Sequence, residues 1–331
     1  MKIAVVGAGL AGLAFSWYYK NLDPSSDLTL YDPKLPKEKT SALAHLLYPY
    51  VGIRSKLNWE GPEALHKSTE LLKIASKFST VSLYKQSPLL KLACSEKQLL
   101  DLKKSVKEFP ELKWKEKTSL NRPGIWMEKT IQVDAQNYLI ALERACLSLG
   151  IKIQSELFTN EMQDDFDKII YCNGHQYPKN FSEPALSQMK GQGLILKRPV
   201  GFDQNFCLIA HQLHLIPAID AQAIYIGNTF ERHFKDSKPE PEKAIEILWP
   251  KLLEYFPDFS KDLILDVKAG VRLNAPSRLP VLSRVQKNIW AFTALGSKGM
   301  LYHAYLGEIL AKAVKNNFSE EIPEKVFYAN S

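Results

Sequence analysis

An apolar run, KIAVV, opens the chain and passes directly into the glycine-spaced turn GAGLAG (residues 7–12), which continues as a helical stripe of Leu13, Ala14 and Trp17. A second apolar run, LTLY, follows and ends at Asp32. The order predicts strand, tight turn, helix and strand. In such a unit Gly7 permits the turn, Gly9 lets backbone approach a pyrophosphate, and Gly12 allows close helix packing. The helix start at Leu10 and Ala11 offers unpaired N–H donors to phosphate. Asp32 stands 20 residues after Gly12, where a carboxylate can accept both hydroxyls of a ribose.

Three glycines and the bulky cluster Trp17, Tyr18 and Tyr19 argue that this apolar opening is folded structure, not a signal peptide or a membrane span. The remaining composition is that of an ordinary globular chain: 331 residues, 45% hydrophobic and 24% charged, enough for about two domains. Four cysteines, Cys94, Cys146, Cys172 and Cys207, form no CxxC pair, so neither a metal site nor a disulfide framework is expected, and a reducing cytoplasmic setting fits. Cys146 is read as core. The formal charge is +7, yet the stretch from Lys268 to Gly307 alone carries +6, through Lys268, Arg272, Arg278, Arg284, Lys287 and Lys298 with no acid. A field so concentrated should draw an anion: cofactor phosphate, substrate carboxylate or nucleic acid.

Further along, helices are expected from Pro62 to about Phe78, after a capping box at Ser95–Gln98, and between Asp134 and Gly150. Strand-like runs follow at KIIYC, GLILK, LHLIP, AIYIG, LILDV and IWAFTA. LGSKGM then leads into a last helix with an apolar stripe at Leu301, Tyr305, Ile309, Leu310 and Ala313. Gly296 and Gly299 therefore frame a second exposed helix start, about 290 residues after the first. One ligand touching both starts would be a dinucleotide with its ends far apart. Motif order alone leaves open whether that dinucleotide is FAD or NAD.

GAGLAG with Asp32, SALAHLLYP, DKIIYCNG, MKGQG, HLIP followed by IYIGNTFE, AGVR, RLPV and ALGSKGM occur in the order of the D-amino-acid oxidase (DAO) family, which the chain resembles over nearly its whole length. The resemblance implies an FAD-dependent amine oxidoreductase. It also implies an α/β fold: a Rossmann-like three-layer FAD domain of discontinuous segments plus a substrate domain with a largely antiparallel sheet. The expected boundaries are 1–55, 130–190 and 268–331 for the first and 56–129 and 191–267 for the second. Within the family, LLYP, GNTFER, SRLP and GSKG are most similar to oxidases acting on carboxymethylaminomethyl-uridine at the tRNA wobble position, with glyoxylate released. The chain is expected to match their oxidase half alone, without the methyltransferase half.

Carried over by position, Gly7, Gly9, Leu10, Ala11, Gly12 and Asp32 would hold the ADP half of FAD. Ala44, His45, Leu46 and Leu47 would run along the flavin, Gly174 would face it, and Gly296, Ser297, Lys298, Gly299 and Met300 would bring the last helix to its pyrimidine edge. Arg272 takes the place of the arginine that forks onto the substrate carboxylate, His214 that of a substrate-contacting tyrosine, and Lys298 that of a basic residue beside the flavin. The chain departs from the family pattern at His45, where a glycine is usual, and at Ser277, where an acid is usual. With no cysteine in the C-terminal segment, the resemblance implies non-covalent FAD. The expected substrate is a carboxylate-bearing amine, with tRNA as the partner and no membrane. The alternatives are a small-molecule oxidase of glycine, sarcosine or D-amino acid type, and a flavin-binding protein with little activity.

Overall fold

The computed structural model describes residues 1–33, 45–176, 185–211, 213–220, 222–317 and 322–329. Sixteen strands occur among them: β1 Lys2–Val6, β2 Asp27–Tyr31, β3 His45–Leu47, β4 Tyr84–Leu92, β5 Lys113–Lys115, β6 Gly124–Val133, β7 Lys152–Gln154, β8 Lys168–Tyr171, β9 Ser187–Lys197, β10 Cys207–Ala210, β11 Leu213–Pro217, β12 Ala223–Gly227, β13 Ile264–Asn274, β14 Val281–Gln286, β15 Ile289–Thr293 and β16 Phe327–Ala329. The α-helices are α1 Leu10–Leu22, α2 Gly61–Ser76, α3 Glu96–Glu108, α4 Ala135–Ser148, α5 Pro241–Leu253 and α6 Gly299–Asn316.

A seven-stranded sheet in the order β16-β14-β15-β8-β1-β2-β7 forms one half. Its central strands are parallel and apolar along their length, as strands covered on both faces must be. The largest core joins helices α1, α2, α4 and α6 to that sheet through Phe15, Tyr19, Tyr138, Tyr302 and Trp290, all fully buried. On the other face Ala4, Tyr31, Tyr171 and Ala291 pack with Phe158, Met162 and Phe166. The chain runs from β1 outward to β2 and returns to β8 on the other flank. The strand order therefore reverses between β1 and β8, the place where open sheets of this kind leave a crevice at the strands' carboxyl ends.

The second sheet has the order β13-β9-β12-β11-β10-β4-β6-β3, with β5 on β6, and only the β10–β4 pair is parallel. Its central strands alternate between two faces. Leu90, Leu208, Leu215, Ile224, Ile226 and Leu194 face α5, where Ala244, Leu248 and Leu252 meet them. The intervening residues face the other way, and polar side chains stand among them.

Local chemistry sets the helix starts. Ser95 Oγ accepts the Gln98 backbone N–H at 3.2 Å, while Gln98 Oε1 accepts from Cys94, one residue ahead of the expected reciprocal bond. Asp134 accepts from the Asn137 N–H at 3.0 Å, and Gly150 closes α4 at φ +78°. Two placements differ from the boundaries expected above. Helix α2 buries Ala64, Leu71, Leu72 and Ala75 in the first core, and strand β13 with β9 belongs to the second sheet. An amphipathic stripe fixes which side of a helix is buried but not against which core.

Candidate active site

The carboxyl ends of the first sheet and the face of the second turned away from α5 enclose a cavity of about 1650 Å3. This exceeds the roughly 300–1,000 Å3 of ordinary small-molecule pockets and has room for a dinucleotide with a second ligand. From the first sheet, Gly7, Gly9, Leu10, Ala11, Asp32 and Gly174 line it, and Gly296, Ser297, Lys298 and Gly299 close that side. Gly7 holds φ +105°, and a Cβ there would stand 2.5 Å from the Cys172 carbonyl oxygen. Asp32 Oδ2 accepts the Ala8 N–H at 2.9 Å, which fixes its carboxylate at the cavity wall. Helices α1 and α6 thus begin side by side, and a Cβ on Gly299 would come within 3.6 Å of Leu10 Cδ1.

The second sheet supplies the floor. Lys91, His214, Tyr225 and Arg272 all line the cavity from the face opposite α5. Arg272 lies deep in the fold, and what remains accessible of it fronts the cavity. Its guanidinium makes no hydrogen bond or ion pair to any described residue, although arginine carries five donors. Gly191 gives it room: a Cβ there would lie 3.5 Å from Nη2. Tyr225 lies against Gly193 and Gly227 and donates its hydroxyl to Asn228 Oδ1. Burial raises its pKa to about 12, with Arg272 opposing.

His214 has its pKa lowered to about 4, by burial first and then by the charges of Arg272 and Lys91. The ring is therefore neutral through the physiological range. Below about pH 6.5 an unfolded His214 binds a proton that the folded one refuses, so stability falls as pH drops from about 6.5 to about 4. Chemical denaturation of His214→Gln across this window should show a shallower loss than the parent; identical slopes would remove His214 from the account. Lys298 lines the cavity at the start of α6 and has its pKa lowered by burial and by Arg278.

The remaining expected residues separate. Leu46 lines the cavity, whereas Leu47 is fully buried in the first core. Met300 is likewise core at 3% exposure, because it lies inside the first turn of α6 and turns toward the helix layer. Gly12 serves packing only: a Cβ there would overlap the Gly7 carbonyl oxygen. Ala44 lies outside the described residues, as does the side chain of His45. Cys146 is buried core, and all four cysteines are free.

Only Arg272, Arg278 and Lys298 of the basic run reach the cavity. Lys268 pairs with Asp266 at 2.7 Å. Arg284 lies over the Trp290 ring and donates to the Lys287 carbonyl and to Asn317. The β14–β15 hairpin places Lys287 at the amino end of β15, while the cavity lies at its carboxyl end. Sequence reasoning missed Lys91, Tyr225 and Asn228. A lysine inside LLKL was the one available signal.

FAD fits this donor set. The turn at Gly7 tolerates no side chain, two helix starts open on one cavity, and Asn173 Oδ1, also in its wall, is buried without a hydrogen-bond partner. Among the described residues no cluster could hold a metal ion, and no helix is long and apolar enough to cross a membrane.

Comparison with known proteins places these features. The solved structure of glycine oxidase from Geobacillus kaustophilus superimposes with a TM-score of 0.81 at 16% identity, over 95% of this chain and 94% of that one. Iminodiacetate oxidase from Chelativorans sp. BNC1 gives 0.79 at 16% identity over 99% of both. Among curated sequences, the tRNA 5-methylaminomethyl-2-thiouridine biosynthesis bifunctional protein MnmC of Idiomarina loihiensis is 23% identical over 150 residues, which is 44% of this chain and 25% of that protein. The chain thus spans about a quarter of that relative's length. The FAD dependent oxidoreductase (DAO) family matches residues 2–313, so the chain belongs to the DAO family of FAD-dependent oxidoreductases.

Proposed function

We propose that this protein oxidises the C–N bond of a carboxymethyl-amine, R–NH–CH2–COO⁻, and that R is the wobble uridine of a tRNA. The observation that carries the first half is Arg272: a buried guanidinium open to the cavity, with no carboxylate partner among the described residues. Such a group is costly to bury unless a ligand supplies the anion, and its planar fork matches a carboxylate.

The first sheet would hold the cofactor and the second the substrate. Gly7, Gly9 and Asp32 would receive the nucleotide half of FAD, and the start of α6 with Gly296, Ser297 and Lys298 its ring end. Bound FAD supplies the two-electron acceptor. Arg272 anchors the carboxylate and so fixes the neighbouring methylene in one place. The Arg272 charge, which also acts on His214, disfavours a charged amine beside it, and the oxidation needs the neutral form. Neutral His214 can accept the amine N–H without adding charge. The C–H bonding pair then leaves carbon, the nitrogen lone pair closes a C=N bond, and water splits the imine into R–NH2 and glyoxylate.

The tRNA half of the proposal rests on the curated relatives and on the cavity mouth. Arg54, Lys56, Lys97, Arg232 and Arg278 are all exposed there, the arrangement a polyanion requires. A free amino acid as substrate is the second reading, favoured by likeness to glycine and iminodiacetate oxidases along the whole chain.

Anaerobic mixing of FAD-loaded protein with tRNA carrying the carboxymethylaminomethyl group should bleach the flavin absorbance. Mass spectrometry should show the wobble nucleoside losing its carboxymethyl arm. Bleaching by glycine with an unchanged nucleoside would move the assignment to the second reading, and bleaching by neither would overturn both.

A further inference from the structure

Among the described residues two lysines are sealed inside this protein, and they differ. Lys190, with no exposure, pairs with Glu240 and is accounted for. Lys91, 2% exposed, has no acid paired with it among the described residues. It stands on β4 between Leu90 and Leu92, opposite Ile125 and beside Ile209, on the face of the sheet that forms the cavity floor. An ammonium carries three donors. Lys91 directs one to the Gly52 carbonyl and makes no other hydrogen bond or ion pair to a described residue. Burial holds the Lys91 pKa down to about 7, so its charge is kept only at a cost that an anion beside it would offset, and such groups concentrate where a ligand completes them.

Its position matters as much as its isolation. Along the strand order β13-β9-β12-β11-β10-β4, Arg272 and Lys91 stand at the two ends, with His214 between them. Both charges act on His214. Lys91 shares a register row with Ile209, His214, Gly227, Gly193 and Lys268, and Arg272 stands four residues further along β13. Five strand spacings of about 4.8 Å and about 13 Å along the strand therefore separate the two backbones by about 27 Å in a flat sheet. Side chains that lean toward each other and the coiling of the sheet shorten the distance between the two charges and still leave a span of several bonds between them.

We propose that Lys91 is a second anion-recognition residue of the substrate site, receiving an anionic oxygen on the arm of the amine that does not carry the carboxylate held by Arg272. This rests on the reading of Arg272 given above. The substrate class is then an amine with acidic groups on both arms, several bonds apart. The second anion is the carboxylate of a small diacid or the phosphate of a nucleotide, and both present the same chemistry to Lys91. Its bond to Gly52 ties the side chain to the segment 51–58, which also lines the cavity.

The test uses FAD-loaded protein, parent and Lys91→Met, with four amines. Sarcosine has no anion on its second arm. N-(carboxymethyl)-4-aminobutyrate carries a carboxylate there. The nucleoside 5-carboxymethylaminomethyluridine and its 5′-monophosphate differ only by a phosphate. Lys91→Met should raise KM at least tenfold for the diacid or for the monophosphate, leave sarcosine within twofold, and leave kcat nearly unchanged. Lys91→Arg should recover part of the loss.

An effect on the diacid alone marks a small-molecule substrate; an effect on the monophosphate but not the nucleoside marks a nucleotide. Equal shifts for all four amines would mean that Lys91 only supports the 51–58 segment, and no shift for any would equally overturn the inference. Should no amine bleach the flavin of the parent, the proposed reaction has failed, and calorimetry with unreactive acids still decides about Lys91. Glutarate should then bind the parent more tightly than butyrate does, and Lys91→Met should erase that difference. Equal binding of the two acids by the parent would sink the proposal.

Discussion

Arg272→Met should lose substrate binding by two to three orders of magnitude in KM while retaining FAD. Removing one member of a buried, hydrogen-bonded charge pair costs about 2–5 kcal/mol, which is about 30- to 4,000-fold. Arg272 lies within that range, because the substrate carboxylate would be left facing neutral His214, with Lys91 at the far end of the floor, Lys298 on the opposite wall and the other lining cations exposed at the mouth. Arg272→Lys keeps the charge but not the planar fork, so a loss of about tenfold is expected. Methionine fills similar volume and removes an unpaired buried charge, so folding should improve slightly. Steady-state kinetics with flavin content measured on the same sample checks this. Unchanged KM in Arg272→Met with full FAD would remove Arg272 from the site.

The parts of this site that could be read in the chain are those whose meaning is local. Gly7 encodes a positive φ, and Asp32 ends a strand at a set distance from the turn. Arg272 was legible through the AGVR context, a resemblance, and not through periodicity. Lys91 and Tyr225 were illegible because their meaning is non-local. Strand β4 becomes a floor strand only when it pairs with β10, more than a hundred residues later, and nothing within YKQSPLLKL says which face will meet a cavity. The basic run misled for the same reason. Of six cations close in sequence, Lys268 is tied to Asp266 on β13, one hairpin carries Arg284 and Lys287 away from the cavity, and Arg272, Arg278 and Lys298 reach it, a division that a linear charge count cannot show. Strand β14 was hidden too, since Pro276 and Pro280 just before it read as loop.

Gly12→Val should abolish FAD retention and lower the melting temperature by ten degrees or more. A β-carbon at Gly12 would overlap the Gly7 carbonyl oxygen and stand 3.3 Å from Val5 Cγ1, so the first turn of α1 must back away from β1. Neither obstacle can yield. The Gly7 carbonyl belongs to a turn held from the other side, where Gly7 meets Cys172 and its N–H donates to the Tyr31 carbonyl at 2.8 Å. Helix α1 is clamped as well, because Gly307 of α6 sits so close to Ala14 that a Cβ there would reach it at 3.0 Å. Displacing α1 therefore opens the core and moves its N–H donors away from the pyrophosphate. The two losses compound, since a protein that no longer binds FAD also forfeits the stabilisation the ligand gives the folded state. Gly150→Ala is the control. Gly150 has φ +78° with nothing within 4 Å of a Cβ, so that change should cost only backbone strain, about 1–2 kcal/mol, with FAD retained. Flavin absorbance per chain and thermal melts of both variants separate the cases. Full flavin content in Gly12→Val would show that close approach of α1 to the Gly7 turn is not what holds the cofactor.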